Sequence, residues 1–106
     1  MTTIETTLDL DIIIGINRMW TIMVIPDSTQ GEIDRSILRF SAEKFLTKQS
    51  SRLLKKNNKK KFVLSLHYFE IVTLERYLRN HLHFWDNQSL EYSKIDTYKN
   101  QLNKLI

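Results

Sequence analysis

The chain of 106 residues contains no cysteine. That excludes a disulfide framework, a thiolate nucleophile, an iron–sulfur cluster and any cysteine-based zinc site. It also fits a reducing cytosol, so a cytoplasmic location is expected. Glycine occurs twice and proline once, too little punctuation for a many-turned sandwich or barrel, and long elements are expected instead. No apolar run reaches the length of a membrane span: the most apolar window, Ile12 to Ile25, is short and interrupted by Asn17 and Arg18. Glu5, Asp9 and Asp11 stand where a secretory leader would carry positive charge. The expectation is a protein that stays in water. No glycine-rich phosphate loop, nucleophile elbow or HExxH helix occurs either, and nothing calls for a cofactor.

What is present describes one globular domain over residues 1–106, with 42% hydrophobic and 10% aromatic residues. Leu8, Leu10, Ile12 and Ile14 alternate with Asp9, Asp11 and Ile13, the period of a half-buried strand. Met19 to Ile25 is apolar on both faces and reads as a second strand ended by Pro26, the two forming an antiparallel hairpin. Thr29 and Glu32 have the spacing of a capping box. Behind them Ile33, Ile37, Leu38, Phe40, Phe45 and Leu46 recur at helical intervals, predicting a helix from about Gln30 to Gln49, with continuation through Leu54 left open.

The segment KFVLSL then reads as a short third strand. From about His67 the stripe Ile71, Leu74, Leu78, Leu82 and Trp85 predicts a helix, with Glu75 and Arg79 paired one turn apart. Asp86 to Ser89 breaks it, and Ile95, Tyr98, Leu102 and Leu105 form the apolar stripe of a last helix. The predicted fold is therefore α+β: a small antiparallel sheet, made of an N-terminal hairpin and a short third strand, packed against three helices in the order β-β-α-β-α-α. Trp20, Ile22, Leu38, Leu74, Leu78 and Leu82 are expected to be buried together.

Candidate catalytic and metal groups are few. His81 and His83 are two apart, which diverges on a helix, and His67 with Glu70 supplies only two groups. Asp9 and Asp11 share one face of the expected first strand and would suit a hard cation, but alternating Asp on an edge strand is also a guard against aggregation. The reading is no metal, no catalytic residue and no enzyme. Among the aromatics, Phe69 and Trp85 are assigned to the core. Tyr68, Tyr77 and Tyr92 lie off the apolar stripes and are candidates for exposure.

Charge is the uneven feature. From Lys44 to Phe69 stand eight bases (Lys44, Lys48, Arg52, Lys55, Lys56, Lys59, Lys60 and Lys61) and no acid, giving +8 within a chain whose net charge is +4. On a continuous helix Lys44, Lys48, Arg52, Lys55 and Lys59 would form one stripe, but Asn57-Asn58 argues for a break. The region about 50–61 is therefore expected to be a basic loop or helix extension. Such a ridge suits phosphates without reading bases. Lysine-rich solubilising turns, and an AT-rich coding sequence, offer a plainer account of the same residues.

Two functions are compatible with this. One is a small non-enzymatic accessory or regulatory protein contacting nucleic-acid phosphates through these eight bases. The other is a protein-binding inhibitor or adaptor, of the compact kind carried by phages and mobile elements, which uses the same face on an acidic or nucleic-acid-binding surface of a protein partner. A second copy of the chain is a further candidate partner, through the apolar C-terminal helices.

Overall fold

A computed structural model describes residues 2–22, 29–55 and 60–106, with the side chains of 20–22 and 29–32 excepted. The elements are strand β1 (Thr3–Leu8), helix α1 (Leu10–Ile22), helix α2 (Thr29–Leu53), strand β2 (Phe62–His67), helix α3 (Tyr68–His81), a 3-10 turn (Leu82–Phe84) and helix α4 (Leu90–Lys104). The class is α+β with an antiparallel sheet. Among the described residues that sheet has two strands, with helices α1 and α2 lying between them in the chain.

Over its described residues the expected N-terminal hairpin is replaced by one strand and one helix, Met23 to Ile25 of the expected second strand lying outside them, and the reason is local. The period-two window Leu8 to Ile12 straddles an element boundary. Leu8 ends β1 facing inward, while Asp9 caps α1, its Oδ1 accepting from the Ile12 amide at 3.0 Å. Beyond the cap, Ile12, Ile13, Ile16 and Met19 are buried at helical spacing while Asp11 and Arg18 remain outside. Isoleucine favours strands only weakly and by context, so burial of one helical face decides the state. Asp9 and Asp11 are therefore not edge guards. Both accept from Lys94 Nζ of α4, at 3.0 and 2.7 Å, which ties the start of α1 to that helix.

The true first strand is TIETTL. In register with β2 it pairs Ile4 with Leu66, Thr6 with Leu64 and Leu8 with Phe62. Those six face the helices, and Glu5, Thr7, Val63 and Ser65 face outward. Thr6 sits fully buried on the inner face. Its hydroxyl donates to the Leu64 carbonyl at 2.8 Å and accepts from the Tyr98 hydroxyl of α4 at 2.9 Å. Burial pushes the Tyr98 phenol well above its ordinary pKa. The outer edge of β1 is closed at Thr7, where the Gln101 side-chain amide accepts from the backbone N–H at 2.7 Å and donates to the carbonyl at 2.8 Å.

The apolar stripes of the last two helices form the core as expected. Ile71, Leu74, Leu78, Ile95, Tyr98 and Leu102 are fully buried and Trp85 is buried, with Leu82 and Leu105 packed at the margin. Of the expected α2 stripe, Leu38 and Phe45 are buried, whereas Ile33, Phe40 and Leu46 are about half exposed. Trp20 and Ile22 lie outside the described side chains, as does the Thr29–Glu32 capping box. Tyr77 is buried, contrary to expectation. No helix among the described residues is long and apolar enough to cross a membrane.

α1 and α4 approach closely at Gly15, where an added Cβ would lie 2.9 Å from Ile95 Cδ1 and 3.3 Å from the Glu91 side chain. Ile95 is fully buried and has little room to yield. Gly15→Leu is expected to lower unfolding free energy by on the order of 2 kcal/mol despite its better helix propensity, because overpacking costs more than propensity returns. A denaturant midpoint at or above that of the parent would show that the α1–α4 contact is not close-packed.

Candidate nucleic-acid interface

α2 and β2 run side by side in opposite directions, and the first part of the basic stripe faces the strand. Lys44 Nζ lies 3.4 Å from the Ser65 carbonyl oxygen. One and two turns further along α2, Lys48 Nζ and the Arg52 guanidinium sit 5.7 and 4.7 Å from the ring centre of Phe62, in cation–π range. α2 ends at Leu53, and the Lys55 amide closes the following turn onto the Arg52 carbonyl at 3.1 Å. Lys55, Lys60 and Lys61 are exposed, the last two leading directly into Phe62. Lys56 and Lys59 lie outside the described residues. The six described bases thus divide: Lys44, Lys48 and Arg52 pack along the strand, while Lys55, Lys60 and Lys61 extend into solvent at its head.

Lys44 is more deeply committed than its place in a basic stripe suggests. It donates at 2.7 Å to Oε2 of Glu70, a carboxylate with no solvent exposure. The same oxygen accepts from the His67 backbone amide at 2.7 Å and contacts His67 Nδ1 at 2.9 Å, and Oε1 accepts from Ser41 Oγ at 2.8 Å. A carboxylate only accepts, so the ring proton of His67 belongs on Nδ1. Burial pushes the Glu70 carboxyl up, but the Lys44 ammonium, the His67 amide and ring and the Ser41 hydroxyl together outweigh it, and the pKa lies below the ordinary 4.5. The reach of Glu70 back to the His67 amide is one arm of a capping box at the start of α3. His67 and Glu70 are three apart in the sequence, but histidine stands where serine or threonine marks that motif, which hid it.

The anchored imidazole carries an aromatic cluster that the sequence reading missed. The His67 and Phe69 rings stack at 5.2 Å with 10° between planes, and Phe40 of α2 lies 6.1 Å from the first and 6.4 Å from the second. Phe69 is not core: it is 38% exposed, and Phe40 is 46% exposed. Tyr68 is half exposed, as expected. An open cleft on the Phe40 side of the cluster is lined by Phe40, Glu43, Lys44, Thr47, Lys48 and Leu64. Elsewhere His81 Nδ1 engages the Tyr77 carbonyl at 2.9 Å and its ring lies 6.2 Å from that of His83. Among the described residues no group of three or more His, Asp or Glu is placed to hold a metal ion.

Comparison with protein-family models, curated proteins and solved structures finds no match to this chain.

Glu70 has a defined pH signature. Its folded pKa is depressed, so the stability it contributes is present above about pH 4.5 and is lost as pH falls through the folded value. Glu70→Gln turns one acceptor oxygen into a donor facing Lys44 and the His67 amide. It is expected to cost on the order of 3 kcal/mol at neutral pH, as breaking a buried charged pair does, and to flatten the stability–pH curve below pH 4.5. Thermal unfolding of both proteins between acid and neutral pH measures this. An unchanged slope would show that the charge on Glu70 contributes nothing to stability.

Proposed function

We propose that this protein is a small non-enzymatic accessory or regulatory factor that holds nucleic acid by its phosphates along the α2–β2 face. The observation that carries the reading is the gathering of cations around Phe62. Lys48 and Arg52 approach its ring from α2, and Lys60 and Lys61 immediately precede it in the chain with exposed side chains. Packed cations and projecting ones therefore meet at one end of one strand, in a stretch of sequence without a single acid. Concentrated positive charge repels itself unless a polyanion neutralises it.

A protein partner is the second reading, supported by a different surface. Leu46 and Leu53 are seven apart on α2, hence on one side of it, and each is about half exposed. A partner retained stoichiometrically after nuclease treatment would favour this reading.

Changing Lys55, Lys56, Lys59, Lys60 and Lys61 together to Gln tests the phosphate reading. Lys55, Lys60 and Lys61 are exposed, changes at exposed positions alter stability by about half a kcal/mol or less, and the melting temperature is expected to hold nearly constant. Nucleic-acid affinity should fall strongly, and the dependence of log affinity on log salt should become shallower by up to about 0.9 for each duplex phosphate no longer neutralised. Equal binding by variant and parent across several salt concentrations would rule these five lysines out as the phosphate-binding surface.

A further inference from the structure

We infer that the Phe40–His67–Phe69 cluster is a stacking platform for unpaired bases, so that the nucleic acid bound is single-stranded. This rests on the phosphate-binding reading above and narrows it.

Three features of the cluster point to a ligand with flat faces. Its rings come from separate elements, α2 for Phe40, the end of β2 for His67 and the start of α3 for Phe69, and converge within 6.4 Å of one another. Its central ring is held still: His67 donates Nδ1–H to Glu70, itself fixed by Lys44 and Ser41. Its two phenylalanines keep 46% and 38% of their surface open to water, although each has an apolar ring that folding would otherwise bury. A closely spaced set of rings, its central one fixed by Glu70 and its outer two open to water, loses little entropy when a base stacks on it.

Charge complementarity selects the occupant. Lys44 Nζ stands 5.0 Å from the Phe40 ring centre, and the cleft that Phe40 lines continues to Lys48. The Lys44 charge is committed to Glu70, so phosphate neutralisation falls to Lys48 and, at the other end of β2, to Lys60 and Lys61. The six residues of β2 span about 17 Å, which places rings at one end of a track and free cations at the other. Glu43 is the one carboxylate lining the cleft. Stacked rings beside a basic track fit a strand whose bases can turn outward; the bases of a duplex are already stacked on each other and present no face.

The test is fluorescence anisotropy with a labelled oligothymidylate and a mixed-sequence duplex of equal length, over several salt concentrations. The proteins are the parent, Phe40→Ala/Phe69→Ala and Phe40→Leu/Phe69→Leu. The parent should prefer the single strand. Both double variants should lose about 5- to 100-fold in single-strand affinity for each base no longer stacked, with the salt slope unchanged because the same phosphates are still neutralised. The leucine pair keeps apolar volume and lacks ring faces, and it carries the decision if the alanine pair melts early. Full single-strand affinity in the leucine pair would overturn the platform, because ring faces would then not be needed. Equal binding of duplex and single strand, insensitive to both ring variants, would overturn the platform and leave the phosphate reading standing. A parent that binds neither probe at physiological salt would overturn both.

Discussion

The Glu70 carboxylate is the group on which the arrangement of α2, β2 and α3 depends. It has no solvent exposure, and it satisfies donors from α2 and β2 while its own backbone lies in the first turn of α3: Ser41 and Lys44 from the helix, the amide and ring of His67 from the end of the strand. A buried charge is tolerable only when it is fully paired, since an unpaired one costs several kcal/mol. That requirement fixes where α2 can lie against the strand and how sharply the chain turns from β2 into α3. It also fixes the tautomer and plane of His67, so the surface beside it inherits a rigid foundation.

A second dependence follows from the sheet. Two antiparallel strands alone are at best marginally stable in water, and these two are separated in the chain by both α1 and α2. Their pairing therefore forms only with the helices in place. α4 supplies part of that support, through Tyr98 on the buried Thr6 hydroxyl and Gln101 along the open edge at Thr7. Lys94, from the same helix, holds the cap of α1. The C-terminal helix thus braces both N-terminal elements, and its Ile95 leaves room for the α1 backbone only because residue 15 is glycine.

The basic region illustrates how one run of like charge can serve two purposes. Residues on the helical part face the strand, where long aliphatic stems pack and charged heads find a ring or a carboxylate. Beyond Leu53, the described Lys55, Lys60 and Lys61 are exposed. Removing a lysine from the first group disturbs packing as well as charge, whereas one from the second changes charge almost alone. Any binding measurement on this face has to be interpreted with that division in view.

The sequence by itself determined the helical stripes of α3 and α4, the short strand at Phe62–His67, the extent of α2 to within a few residues, and the clustering of base between Lys44 and Lys61. Each of these rests on local periodicity or composition, which survives without knowledge of neighbours. Only the tertiary structure decided the rest. Leu8 to Ile14 alternates like a strand, yet the alternation spans a strand end and a helix cap, and burial of Ile12, Ile13 and Ile16 against other elements settled the matter. Thr3–Leu8 carries too many threonines to announce itself, and its inward Thr6 is acceptable only because Leu64 and Tyr98 supply partners. Phe40 and Phe69 have the apolarity of core residues, but which side of a helix meets the core depends on what packs there, and for these two the core lies elsewhere. Glu70 appeared in the sequence as one polar group near a histidine; its burial and its four donors exist only once three separate elements have met.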